Sequence, residues 1–188
     1  MREALRMVLT LLVVCVVAGG ALAAVNGTTA PIIAAMEEKA IQEGLAEVLP
    51  EAATFEAVAA EELAGAGEPV QAAWRGLDAA GHLVGVVVQA APDGYGGAIS
   101  MLVGVKPDGT LGQLKILDAS GETPGLGSKA AERKFLDQFL GLGPNIELVK
   151  NQAPVGNQIQ AVTGATISSR AVLSGVNAAL DAARQIVR

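Results

Sequence analysis

Four apolar runs decide how this chain folds: VQAAWRGL at 70–77, LVGVVVQA at 83–90, AISMLVGV at 98–105 and LGQLKIL at 111–117. Each is strand-length and rich in β-branched or aliphatic residues. Asp78-Ala79-Ala80-Gly81 joins the first two and Lys106-Pro107-Asp108-Gly109 the last two, both of turn-forming composition. The pattern predicts consecutive hairpins in an antiparallel sheet. Downstream, the spacing predicts a short helix over 128–140, with Phe135 and Phe139 as its buried i, i+4 pair. A closing helix is predicted over 168–187, with Arg170, Ser174, Asn177, Asp181, Arg184 and Arg188 on one face. Val172, Val176, Leu180, Ala183 and Val187 line the other. Strands followed by helices packed on one side make the expected class α+β.

Upstream, residues 7–25 (MVLTLLVVCVVAGGALAAV) form a 19-residue stretch without a charge, close to the roughly 20 residues that span a bilayer as a helix. Arg2 and Arg6 precede it, so the positive-inside bias keeps the amino terminus in the cytoplasm and exports the rest. A cleaved signal ending at Ala21-Leu22-Ala23 is the competing reading. The run exceeds the roughly 7 to 15 apolar residues of a signal core, which favours a retained anchor. Cys15, preceded by bulky Val14, reads as a lipid-facing or helix-packing residue. An amphipathic helix follows, with Ile33, Met36, Ile41, Leu45 and Val48 opposite Glu37, Glu38, Lys39, Gln42 and Glu43. A break is expected near 27–31, and Pro50 stops the helix. The expected organisation is therefore a cytoplasmic tip and anchor at 1–30, a linker helix at 31–50 and an extracytoplasmic domain at 51–188.

Composition removes several function classes. Net charge is −6 and aromatics are 3% of 188 residues, so there is no basic surface with stacking rings for nucleic acid. One cysteine and one histidine, Cys15 and His82, cannot build a zinc site, an iron–sulfur cluster or an internal disulfide. No metal site is expected, and redox chemistry would need an organic cofactor. His82, after a turn glycine, reads as a solvated surface residue.

The 23 glycines exceed the usual share of about 7% and gather partly in three predicted loops. These are Gly94-Tyr95-Gly96-Gly97, Gly121-Glu122-Thr123-Pro124-Gly125-Leu126-Gly127 and Thr163-Gly164-Ala165-Thr166. None matches a P-loop or a dinucleotide fingerprint. The third precedes the closing helix, whose first amides lack partners and whose dipole favours an anion. A phosphate held by Thr166, with Gly164 and Ala165 allowing close approach and Ser168 and Ser169 adding hydroxyls, is one reading. A simple cap by Thr163, Thr166 or Ser168 is the other.

The three motifs in this order, behind an N-terminal span, resemble the G subunit of the Rnf electron-transport complex and are similar to the C subunit of the sodium-pumping NADH:quinone reductase. The likeness runs from anchor to last helix. It implies an FMN-binding domain built on an antiparallel sheet with flanking helices, and FMN joined to Thr166 by a phosphoester bond that a separate flavin transferase makes from FAD. It gives contact roles to Thr163, Gly164, Ala165 and Ser168, to Glu122, Thr123, Gly125, Leu126 and Gly127, and more weakly to Tyr95. The chain would be an electron relay among membrane and iron–sulfur subunits of an ion-translocating ferredoxin:NAD oxidoreductase. It would be held to lipid by its first helix in the cytoplasmic membrane and would have no catalytic residue of its own. One departure is Gln160, which stands where the transferase's recognition pattern has an aspartate. A quinone-reductase-type C subunit and a flavin-free secreted module released after Ala23 are the alternatives.

Overall fold

The structure, a computed structural model, describes residues 2–187. Met1 of the expected cytoplasmic tip and Arg188 of the closing-helix face lie outside them. The chain divides into two compact units, Met1–Ala40 and Ile41–Arg188.

The first unit is helical and belongs to α1 (Arg2–Val48), a helix long and apolar enough to cross a membrane. The expected break near 27–31 is absent, because α1 continues through Pro31. Thr28 and Thr29 donate their hydroxyls back to the Val25 carbonyl at 2.8 and 3.0 Å. Pro31 removes one ladder bond, a local cost of about 3 kcal/mol, and the alanines at 30, 34 and 35 around it are strong helix formers. Of the expected amphipathic stripe, Ile33 and Met36 are exposed, whereas Leu45 and Val48 are buried and Ile41 is half-buried.

In the second unit, five strands form an antiparallel sheet in chain order. They are β1 (Thr54–Ala57), β2 (Val70–Leu77), β3 (Leu83–Ala90), β4 (Ser100–Val105) and β5 (Leu111–Asp118). The two expected hairpins are present. The alanine-rich stretch before them contributes β1, which pairs on the free edge of β2 and which the sequence did not reveal. A short parallel pair, β6 (Glu147–Val149) with β7 (Gln158–Gln160), was also unforeseen. The helix expected over 128–140 is instead three short pieces: a 3₁₀ turn at Gly127–Ala131, α2 (Arg133–Leu136) and a 3₁₀ turn at Asp137–Phe139. Extended backbone at Glu132 (φ −75°, ψ 143°) splits it. Phe135 and Phe139 still meet edge to face, 5.6 Å between centroids. The closing helix, α3, spans Thr166–Ile186. Its apolar face is buried except at Val187, which lies past its end and is exposed.

Helices cover both faces of the sheet, not one. On one face Val86, Val88, Met101 and Val103 pack with Val172, Val176 and Leu180 of α3 and with Phe135 and Phe139. On the other, Leu45, Val48 and Leu49 pack on Val87 and Leu102, flanked by Phe55, Trp74 and Leu117. This explains why β3 and β4 read as nearly unbroken apolar runs, since strands buried on both sides lose the alternation of a half-exposed sheet. Glycines let the end of α1 sit close. A Cβ added at Gly104 would lie 2.8 Å from both Cγ1 and the carbonyl oxygen of Val48. Glu47 fastens the same turn by ion pairs to Lys115 Nζ, at 2.8 Å, and to Arg133.

Gly104→Ala is expected to lower the stability of the sheet unit by about 1 to 3 kcal/mol through overpacking against backbone, read as a lower denaturant midpoint at unchanged m. The hydrogen bond from Lys115 holds the Glu47 carboxyl below its usual 4.5, against the opposing effect of burial and with added attraction from Lys115 and Arg133. Its stabilising contribution is therefore present above the unfolded value and is lost as pH falls through the lowered folded one. Glu47→Gln should flatten that part of the acid-side stability curve.

Candidate functional site

The three glycine loops, separated by up to about seventy positions in the chain, converge at the first turn of α3. The Gly94–Gly97 loop closes a hairpin tip, with the Gly94 amide donating to the Gly97 carbonyl at 2.8 Å and a bridge between Asp93 and Ala98. The second loop folds on itself. Ser128 N donates to the Thr123 carbonyl at 3.2 Å, and Gly125 N donates to Ser128 Oγ at 2.9 Å. The third is tightened by Ser169, which donates to the Ala165 carbonyl at 2.9 Å while accepting from Val162 N at 3.0 Å. At its apex Gly164 has φ +82°, a left-handed conformation that a side chain disfavours.

Glu122 joins them. Its carboxylate is buried, at 3% exposure. Oε1 accepts from Tyr95 N at 2.6 Å and more weakly from Gly96 N at 3.4 Å, and Oε2 accepts from the buried Ser168 hydroxyl at 2.6 Å. Burial of a charge is tolerated where donors replace water, and the start of α3 adds a favourable dipole. Room for the carboxylate comes from missing side chains, since a Cβ at Gly127 would sit 1.9 Å from Oε2.

These bonds overturn the capping reading. The residue before α3 is Ala165, and no side chain caps the helix. Ser168 and Ser169 spend their hydroxyl protons on Glu122 and Ala165. The first helical bond is Ser169 N to the Ala165 carbonyl, which leaves the amides of Thr166, Ile167 and Ser168 ahead of the ladder. Thr166 is half-buried, and its hydroxyl has no hydrogen-bond partner among the described residues.

A cavity of about 590 Å³ opens here, lined by Tyr95, Glu122, Thr123, Leu126 and Gly127 from the first two loops and by Gly164, Ala165, Thr166, Ile167 and Ser168. Nine of the eleven residues singled out in the sequence thus share one cavity. Thr163 does not; it lines a neighbouring depression with Lys129, Glu132 and Gln160. Gly125 is exposed and does not line the cavity either. Ile167, which motif reading missed, does; an isoleucine set between threonine and serine at a helix start, 51% exposed, was the available signal. His82 lies at the turn between β2 and β3, exposed and paired with Asp78 at 3.2 Å. Gln160 is held by its backbone to the Gln138 side chain.

The arrangement suits an anionic group on a flat apolar body. The amides ahead of the ladder and the Thr166 hydroxyl are placed to receive an anion, while Tyr95, Leu126 and Ile167, all exposed, offer apolar surface beside them. A flavin mononucleotide, a phosphate carried by a flat ring system, is one ligand of that kind.

Comparison with known proteins agrees. The FMN-binding domain family matches residues 94–181, from the first glycine loop into α3. The G subunit of the ion-translocating oxidoreductase complex of Methanosarcina acetivorans is 34% identical over 182 residues, 96% of this chain and 94% of that one. The G subunit of the Na(+)-translocating ferredoxin:NAD(+) oxidoreductase complex of Acetobacterium woodii is 39% identical over 184 residues, 92% of this chain and 88% of its own. The crystal structure of Shewanella oneidensis NqrC aligns with a TM-score of 0.51 at 28% identity, over 56% of this chain and 53% of that one.

Glu122→Ala would leave the buried Ser168 hydroxyl and the part-buried Tyr95 amide without their acceptor, an expected loss of about 1 to 3 kcal/mol. Glu122→Gln should cost less, because Ser168 can turn its hydroxyl to accept from the new amide. Denaturant midpoints and the hydrogen-exchange rate of the Tyr95 amide test this order.

Proposed function

The chain belongs to the family of G subunits of ion-translocating oxidoreductase complexes, electron-transfer flavoprotein subunits with an FMN-binding domain, and from that premise we propose that its FMN is esterified to Thr166. One observation carries the assignment: at the mouth of the cavity Thr166 offers a hydroxyl with no partner among the described residues, beside three amides ahead of the helical ladder. Attachment follows the chemistry the family likeness implies. The Thr166 oxygen bonds to the FMN-side phosphorus of FAD, the pyrophosphate P–O bond breaks, AMP departs with the bridging oxygen, and the threonine proton is released. A separate flavin transferase provides the catalysis.

Bound flavin exchanges electrons singly or in pairs, so it suits a relay. The residues of this chain set its place. Gly164 and Ala165 bring the backbone close to the phosphate, and the amides of Thr166, Ile167 and Ser168 face its oxygens. Thr123, Leu126, Gly127 and Tyr95 bound the ring, and Glu122 keeps the loops in register. Thr163 and Gly125 shape their loops without facing the cavity. A covalent tether keeps the cofactor on a domain outside the membrane, from which a dissociated flavin would be lost.

The single long apolar helix fits a membrane-anchored protein. With Arg2 and Arg6 at its start, the anchor within 1–30 places the amino terminus in the cytoplasm, and the linker at 31–50 leads to the extracytoplasmic domain. Membrane and iron–sulfur subunits of a ferredoxin:NAD oxidoreductase, the activity named for relatives of this chain, are the electron partners, and lipid surrounds the anchor. The likeness to NqrC leaves a quinone-reductase assembly as the second reading. Copurification with iron–sulfur ferredoxin-oxidising subunits supports the first and a quinone-reducing set the second.

Coexpressed with the transferase, the chain is expected to carry flavin fluorescence through a denaturing gel. Thr166→Val should abolish the band and Thr166→Ser should keep it. A fluorescent band in the valine variant would remove Thr166 from the role. Gln160→Asp should speed loading if that position is read by the transferase, as a time course of intact mass would record.

A further inference from the structure

Among the described residues, no cationic side chain lines the cavity at the start of α3. Its one charged lining residue is Glu122, so a phosphoester on Thr166 would carry its negative charge beside a buried carboxylate. The helix start offsets only about half a charge.

Arg170 stands four residues beyond Thr166, on the same helical face. Long side chains on a helix can lean toward its amino terminus and cover the turn ahead of their own Cα, so a rotamer of Arg170 can reach the turn that holds Thr166, although Arg170 does not line the Thr166 cavity in the structure. It lines a second cavity, of about 660 Å³, together with Ile167. Ile167 also borders the first cavity, so the two lie on either side of one residue in the opening turn of α3.

Arg170 is also uncommitted. Arg75, Arg133 and Arg184 hold Glu62, Glu47 and Asp181. Among the described residues Arg170 forms no ion pair, although Glu68 and Asp93 line the same cavity.

We propose that Arg170 is the counter-charge of the phosphate on Thr166, its guanidinium donating to the non-bridging oxygens. Arginine suits this because its planar fork matches phosphate and keeps its charge at any working pH. The proposal rests on the Thr166 reading and adds to it a second contact, supplied from the next turn of the helix.

The test uses the full-length chain with the transferase and FAD, comparing wild type with Arg170→Gln and Arg170→Lys. Arg184→Gln, far along the same helix, serves as a control for charge loss. Intact mass gives the loading rate, and melting of loaded and unloaded protein gives the rise in midpoint produced by the attached phosphate. Arg170→Gln should load about tenfold more slowly, as loss of one charge-assisted contact implies. It should also lose most of the midpoint rise while its unloaded midpoint matches wild type. Arg170→Lys should fall between, and Arg184→Gln should behave as wild type.

A full midpoint rise in Arg170→Gln overturns the proposal, whatever its loading rate, since slow loading alone would then reflect reading by the transferase. A lowered midpoint in the unloaded variant overturns it as well, by making the role structural. Wild-type protein whose Thr166 peptide carries no FMN would sink the Thr166 reading itself, an outcome distinct from either.

Discussion

A buried carboxylate, Glu122, sets the geometry of the whole site. It takes donors from two other segments, Tyr95 and Gly96 on one side and Ser168 on the other, so three loops remote in the chain meet at one point. The cost of removing its charge from water fixes the rest: neighbours must approach within hydrogen-bonding distance, and they can do so because glycine occupies positions 94 and 127. The same commitment takes the Ser168 hydroxyl away from capping α3. With Ser169 turned to Ala165, the helix start keeps its free amides, and Thr166 is the hydroxyl left over.

Much of the sheet was legible because its information is local. The β2 and β3 boundaries follow from apolar runs ended by Asp78-Ala79-Ala80-Gly81 and by Ala91-Pro92. What escaped depended on partners distant in the chain. Thr54–Ala57 is a strand only because the edge of β2 is open to it, and inside an alanine-rich stretch it has no period of its own. The second covered face was written in the sequence, but as an excess: Val86, Val87 and Val88 in succession cannot all point to one side. The break expected near 27–31 failed because Pro31 is carried within a continuous helix, where Thr28 and Thr29 bond back to the Val25 carbonyl.

Motif order found the loops of the site but not the division of labour among their side chains. Glu122 reads as a cofactor contact in the motif, yet its oxygens point at protein donors, and nothing in a spacing of forty-six residues announces Ser168 as one of them. The likeness gave Thr163 a contact role and Thr166 the phosphoester, without saying which of the two lines the cavity. The left-handed turn at Gly164 separates them, sending Thr163 to a different depression. Ile167 went unnoticed because it interrupts a polar run at a helix start, where apolar periodicity has not yet begun.

The exposed apolar groups clarify what the rigid frame is for. Among the described residues after Ala40, the large hydrophobic side chains left exposed are Tyr95, Leu126, Leu140, Val155, Ile167 and Val187, and half of them rim the one cavity at the start of α3. Scattered apolar residues need no explanation, but a cluster around a helix start with unpaired amides does. On the proposed reading, a ring tethered by its phosphate would cover that cluster and gain burial where the protein alone leaves it wet. Its edge would then stay near the surface, open to a donor or acceptor on another subunit. Under that proposal tethering and exposure would be consistent demands: a carrier that meets two partners cannot be buried, and a cofactor that is not buried is retained best by a covalent bond.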